Sequence, residues 1–271
     1  MKFAFVFPGQ GSQAVGMLKD LAESFSIVKE SYQEASDAIN IDLWKMVQEG
    51  PDEELNQTQN TQPALLVASY AISRIWHEST SHQPEVMAGH SFGEVSAFTC
   101  ASSIKFNDAC LLARKRGELM QNAVPAGTGA MAAILGLDDD ALNQLCQSTS
   151  TEAAVVEAVN YNAPGQVVVA GHTSAVEKLI DAAKEQGAKR ALKLPVSVPA
   201  HSSLMKPAAE KFGSALADTA MQMPSIDIIQ NATLRAASSA DDIRSALQAQ
   251  LYSPVKWVDT MQLIKGKDVD C

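Results

Sequence analysis

Cysteine is scarce in this 271-residue chain: Cys100, Cys110, Cys146 and Cys271 are all there are. They show no metal-ligand spacing and are too few for a disulfide scaffold, so free thiols in a reducing compartment are expected. Apolar runs are short. Nowhere do about eighteen apolar residues follow one another, as a membrane-spanning helix requires, and Phe3 to Phe7 is too brief for a signal-peptide core. A cytoplasmic setting and no membrane partner follow as expectations. Basic residues number 21 against 31 acidic ones, and the net charge of −10 argues against nucleic acid or an anionic membrane as partner of the surface as a whole. The loop Phe7-Pro8-Gly9-Gln10-Gly11-Ser12-Gln13 lacks both the Gly-Lys-Ser/Thr ending of a P-loop and the third glycine of a dinucleotide fingerprint. Nucleotide binding there is therefore rejected.

What the chain does have is a hydrophobic fraction of 46%, enough for a large core in one big domain or one domain with an insertion. Its organising stretch is Val86 to Ala97, where a short apolar run delivers Ser91 to a sharp turn and a helix begins directly behind. Gly89 and Gly93 flank the serine two residues away on each side. That spacing reads as a nucleophile elbow, in which a Cβ at either glycine would strike the neighbouring strand or helix.

Elsewhere the reading is coarser. Lys2 to Phe7 reads as a fully buried strand, residues 16–49 as polar-faced helices stopped by Gly50-Pro51, and Gln62 to His77 as a core-packed helix. A helix capped by Asn107 runs from Asp108 to about Ala123 and carries Arg114-Lys115-Arg116. Three consecutive cations point in different directions, and the local reading is a solvated basic face. Residues 125–195 follow a βαββαβ rhythm, the ferredoxin-like arrangement, bracketed by Pro125-Ala126-Gly127 and Leu194-Pro195. They read as a subdomain inserted into a larger α/β unit made of residues 1–124 and 196–271. Inside it, Asn160 to Gly165 reads as a hairpin loop whose asparagines bond their own backbone. Pro195 to Ser203 returns as a strand that breaks at His201. Among five histidines, His77 and His82 look exposed, His90 points away from the serine beside it, and His172 lies in the insert. His201 is the best general base on position. A later strand, Ile226 to Asn231, precedes helices from Asp241 to Gln250 and from Ser253, with Pro254 in a first turn.

Five blocks, taken together, identify a family. Phe7 to Gln13, Gly89-His90-Ser91-Phe92-Gly93-Glu94, Arg116-Gly117, Asn160 to Gln166 and Val196 to His201 stand in the order of the malonyl-CoA:acyl carrier protein transacylases of bacterial type II fatty acid synthesis, which the chain resembles. The resemblance implies an α/β-hydrolase-like core with an inserted ferredoxin-like subdomain. It implies a ping-pong transfer in which Ser91 carries the malonyl group between coenzyme A and the carrier's pantetheine thiol, with no cofactor. By the same resemblance His201 is the base, the backbone N–H groups of Gln10 and Phe92 form the oxyanion hole, and a main-chain carbonyl at Gln250 orients the histidine. Arg116 pairs with the malonyl carboxylate, against its local reading. Phe92 and Val95 replace the leucine and tyrosine common in the bacterial enzymes, and the bulk of Phe92 favours malonyl over methylmalonyl.

Rival readings remain at this stage. A trans-acting malonyl acyltransferase of a polyketide pathway would use the same residues. A serine esterase or thioesterase predicts an acid partner for His201 and no buried cation, and a non-catalytic binding module predicts no acyl adduct. Lys189, Arg190 and Lys193 are candidates for docking an acidic carrier protein, or equally a solvated face. The resembled family continues beyond the Trp257 helix into a further strand, a Gly-Pro-Gly turn and a terminal helix. The 271-residue form is therefore expected to be less stable than a longer one.

Overall fold

The computed structural model describes residues 2–196 and 198–270. Ser197, in the fifth family block, and the Cys271 thiol lie outside the described residues. In chain order the elements are β1 (Ala4–Phe7), α1 (Lys19–Ser24), α2 (Ser26–Ile39), α3 (Leu43–Glu49), α4 (Asp52–Leu55) and α5 (Thr58–Ser79). Then come β2 (Val86–Gly89), α6 (Gly93–Cys100), α7 (Phe106–Gln121), β3 (Gly129–Leu135), α8 (Asp139–Thr149), β4 (Val156–Ala163), β5 (Gln166–His172), α9 (Thr173–Glu185) and β6 (Arg190–Lys193). The chain closes with α10 (Lys206–Asp218), β7 (Ile228–Ile229), α11 (Ala240–Gln250) and α12 (Trp257–Lys265).

Two sheets form. The first is parallel, in the order β1-β2-β7, with Phe7 opposite Gly89, Met87 opposite Ile228 and Ala88 opposite Ile229. Every residue of β2 is buried, as a central parallel strand covered on both faces requires. On one face Met87 meets a core that includes Phe92, Val95 and Phe98 of the elbow and its helix and Leu66 of α5. On the other, Val86, Ala88 and Ile229 meet Ile264 of α12. The second sheet is antiparallel, in the order β4-β5-β3-β6, and has its own core, in which Ile134, Val167 and Val169 pack on Leu142 and Leu145 of α8 and Val176 and Leu179 of α9. A bridge joins the two units: Tyr161 N donates to Val255 O at 2.9 Å and Val255 N to Val159 O at 2.8 Å.

Several expectations are corrected. β1 is not fully buried, because it is an edge strand and Val6 is 52% exposed. The helix carrying the cation triplet starts at Phe106 behind Lys105, whose extended backbone receives Ala109 N, so Asn107 lies inside it and caps nothing. Residues 160–165 are not a loop: β4 runs through Ala163 and only Pro164-Gly165 turns, since Asn160 and Tyr161 are held in the ladder by β5 and Val255. The same bridge keeps Val255 extended, which delays the last helix to Trp257 and leaves Pro254 outside its first turn. The segment around Val198 forms no strand among the described residues, and the strand expected at Ile226 to Asn231 shrinks to two residues.

The triplet itself points three ways. Lys115 is exposed and Arg116 buried, while Arg114 bonds Glu118 at 3.1 Å and Gln59 O at 3.3 Å. That carbonyl is the one Pro63, inside α5, cannot use for lack of an N–H. Cys100, Cys110 and Cys146 are free thiols, and burial raises each to about 12, so none is a nucleophile.

A Cβ built on Gly89 would collide with the Gly93 backbone, and one on Gly93 with Phe7 O and the Pro8 carbonyl. These are backbone atoms of packed elements and cannot swing aside. Gly93→Ala should therefore cost about 1–3 kcal/mol, as overpacking does, read as a lowered unfolding midpoint. An unchanged midpoint would show that β1 and α6 are not in close contact.

Candidate active site

Ser91 sits at φ +51°, a left-handed conformation that costs a non-glycine residue about 1–3 kcal/mol and persists only where the surroundings hold it. Four contacts do so. Asn231 Oδ1 accepts from Ser91 N at 2.8 Å, and Asn231 Nδ2 donates to Gly89 O at 2.7 Å. Ser91 O accepts from Glu94 N at 3.0 Å and from Gln250 Nε2 at 2.9 Å. The turn thus presents Oγ toward His201, whose Nε2 lies 2.7 Å away.

His201 is only 3% exposed and also has a positive φ, +65°. Its Nδ1 lies 2.8 Å from Gln250 O and its backbone N donates to Leu251 O at 3.0 Å, so the end of α11 fixes both ring and main chain. Because a carbonyl can only accept, Nδ1 carries the proton and Nε2 is left as acceptor for the serine hydroxyl. Burial, and next the Arg116 charge, pull the imidazole down to about 3, which keeps it neutral and ready to take a proton at neutral pH.

Arg116 is 1% exposed. Its Nη2 donates to Gln250 Oε1 at 2.7 Å, its guanidinium lies 5.8 Å from the centroid of the Phe92 ring, and its Nε is buried without a partner among the described residues. Burial lowers it to about 10, so it remains a cation. Gln250 stands between this cation and Glu94: its Nε2 also donates to Glu94 Oε2 at 2.6 Å, and Asn231 N donates to the same oxygen at 3.0 Å. Burial raises the Glu94 carboxyl to about 7, opposed by those two donors and by Arg116.

The backbone N–H groups of Phe92 and Gln10 bond no other described residue. The Gln10 loop is braced by its own side chains, Ser12 Oγ to Gly9 O at 2.8 Å and Gly11 N to Gln13 Oε1 at 2.8 Å, and a Cβ on Gly9 would lie 2.6 Å from His90 O. Beside it a cavity of about 470 Å³ is bounded by Pro8 to Ser12, His90 and Trp257. A larger one, about 1270 Å³, lies at the opposite ends of the strands, by Glu85, Asp227 and Lys105, and touches none of these groups. His90 turns away from the serine: its Nε2 lies 2.8 Å from Asn162 Oδ1, across the junction of the two units.

Ser91, His201, Gln250, Phe92 and Arg116 thus meet in one network, and Gln10 lies on the loop against the elbow. Lys189 and Arg190 are exposed on the second sheet's edge, whereas Lys193 is engaged by Glu177 at 2.7 Å. Sequence reasoning passed over Asn231, the bridging of Glu94 and the Asn162 contact. For Asn231 a signal existed, since it ends the apolar run that pairs with the elbow strand.

The acyl transferase domain model matches residues 4–269, and the chain belongs to that family. It is 52% identical over 269 residues to the malonyl CoA-acyl carrier protein transacylase of Escherichia coli (strain K12), covering 99% of this chain and 87% of that one. Among solved structures it is similar to the malonyl CoA-acyl carrier protein transacylase from Coxiella burnetii, with a TM-score of 0.98, 45% identity and coverage of 99% and 85%. It is also similar to a malonyl-transacylase in complex with a type II PKS acyl-carrier protein, with a TM-score of 0.97, 50% identity and coverage of 99% and 87%.

A histidine whose folded pKa is depressed from 6.5 to about 3 stays an acceptor in mild acid. The acylation rate should hold its plateau down to about pH 5, and an acid limb centred near 6.5 would contradict the assignment. The unfolded chain binds a proton below about 6.5 that the folded site refuses, so this contribution to stability is present above 6.5 and lost as pH falls toward 3. Glu94, raised from 4.5 to about 7, acts in the opposite sense, contributing most below 4.5 and losing that contribution as pH rises through 7.

Proposed function

We propose that the chain moves a malonyl group from malonyl-CoA to the phosphopantetheine thiol of an acyl carrier protein through an ester on Ser91, in fatty acid biosynthesis. The observation that carries this is Arg116: a buried cation tied through one glutamine to the nucleophile and base, with a buried Nε still lacking an acceptor. An unsatisfied buried donor costs about 1–3 kcal/mol, more when charged. A substrate carboxylate supplies the missing acceptor.

Ser91 Oγ attacks the thioester carbon as its proton passes to His201 Nε2. The Phe92 and Gln10 N–H groups receive the oxyanion, each donor being worth on the order of 3 kcal/mol. Coenzyme A leaves with the proton from His201, and the carrier's thiol then gives its proton to the same nitrogen and reverses the steps. No cofactor enters. Gln250 O supplies what an aspartate supplies in a hydrolase triad, orientation of the ring, without its charge. That choice, with the buried arginine, favours a transferase over the esterase reading, which asks for an acid partner and no buried cation.

We read the frame as an α/β-hydrolase-like core, residues 1–124 and 196–271, with a ferredoxin-like insert, residues 125–195. The strand order β4-β5-β3-β6, antiparallel throughout, supports the second half of that reading. Lys189 and Arg190 are the docking candidates for an acidic carrier. A cytoplasmic setting suits both substrates and the free thiols. Likeness to the transacylase held by a type II PKS carrier favours a second reading, the same transfer serving a polyketide pathway, and relative rates with the two kinds of carrier distinguish them.

Arg116→Ala tests the carboxylate reading. Malonyl transfer should fall steeply, since sites built to pair a polar group reject the analogue lacking it by roughly 10⁴ to 10⁵, while acetyl transfer stays equal or improves. An equal fall for both acyl groups would make Arg116 merely structural. Ser91→Ala should abolish transfer from malonyl-CoA with the fold retained, and persistence near the original rate would remove Ser91 as nucleophile.

A further inference from the structure

Asn231 takes no part in the transfer steps, yet it is 2% exposed and both polar atoms of its amide are committed to the elbow. The register explains why. Met87 pairs with Ile228 and Ala88 with Ile229, so one more pair on, Gly89 would face Gln230, and His90 would face Asn231. In a parallel ladder a residue facing His90 would donate its N–H to Gly89 O and accept from Ser91 N. The backbone at that point has already left the sheet: Gln230 N donates to Arg235 O, and Asn231 N to Glu94 Oε2. The Asn231 side chain makes both missing bonds instead, Nδ2 to Gly89 O at 2.7 Å and Oδ1 from Ser91 N at 2.8 Å.

We propose that Asn231 is a positioning residue whose side-chain amide substitutes for a rung of the parallel ladder, holding Ser91 in its left-handed conformation and so setting the reactivity of the nucleophile. Two consequences belong to the chemistry. The Ser91 N–H is occupied and cannot serve the oxyanion, which leaves the Phe92 N–H as the elbow's donor. And the Asn231 N–H to Glu94 ties this rung to Gln250, so the elbow, the base and Arg116 share one set of bonds.

The inference rests on Ser91 being the nucleophile of the proposed transfer, and the test separates the two. In Asn231→Ala, labelling of Ser91 by a fluorophosphonate should slow roughly tenfold to a hundredfold, the loss expected of an ångström-scale misplacement. The single-turnover acylation rate with malonyl-CoA should fall by a similar factor, with the half-saturating concentration unchanged within threefold. Wild type that reacts with the fluorophosphonate but not with malonyl-CoA would sink the malonyl reading and leave this one standing. Asn231→Asp provides the check that a folding defect cannot imitate. An ionised carboxylate accepts from Ser91 N but cannot donate to Gly89 O, whereas a protonated carboxyl does both. Glu94, which accepts from Asn231 N, titrates in both proteins over this range, so the comparison is the ratio of the variant's labelling rate to that of wild type at the same pH, and this ratio should rise as the pH is lowered from 8 toward 5. A folded Asn231→Ala protein labelled within twofold of wild type, or an Asp variant whose rate tracks wild type at every pH, would overturn the proposal.

Discussion

One backbone conformation underlies the rest: a serine at positive φ, squeezed between two glycines whose every added atom would meet packed backbone. Left-handed serine is disfavoured in isolation, so the turn exists only because its neighbours leave no alternative. β2 enters it from a fully buried position, α6 leaves it two residues later, and β1 lies against both. The sheet exists in part to make this turn. Its three strands are too short for stability on their own and are closed on one face by the large core around α5 and on the other by α12.

Gln250 is the second fixed point. Its main chain orients the His201 ring, its side-chain oxygen holds Arg116, and its side-chain nitrogen serves both Ser91 O and Glu94. A single residue at the end of α11 therefore sets the mutual geometry of Ser91, His201 and Arg116. The burial that lowers His201 also raises Glu94 to about 7, so at neutral pH the imidazole is uncharged while the carboxyl lies near its midpoint, its ionised form favoured by the Asn231 and Gln250 donors and by Arg116.

Much of this was legible in the residues. The Gly89-x-Ser91-x-Gly93 spacing announces a tight turn because the steric demand is local, and the five blocks identify the family because so many short matches in one fixed order do not arise by chance. Arg116 was not legible locally: a cation in an Arg-Lys-Arg run looks solvated, and only the docking of α7 against α5, with Gly117 against the Gln59 backbone, turns that face inward. Asn160 to Gly165 looked like a loop because asparagine, proline and glycine favour turns. The pairing of β4 with β5 and Val255 overrides that preference and sends Asn162 to His90 instead. Asn231 was hidden for a different reason, since its partners stand about 140 positions earlier and only the register brings them together.

On the proposed function, Ser91 is an acyl carrier that holds malonyl through Arg116 and keeps it from water. Incubating the protein with isotopically labelled malonyl-CoA, without carrier protein, and mapping the product by peptide mass spectrometry tests it most directly. The expected product is one malonyl ester, on Ser91, that survives until a carrier thiol is added. Rapid loss of the label to water, an ester elsewhere, or no ester at all would contradict it.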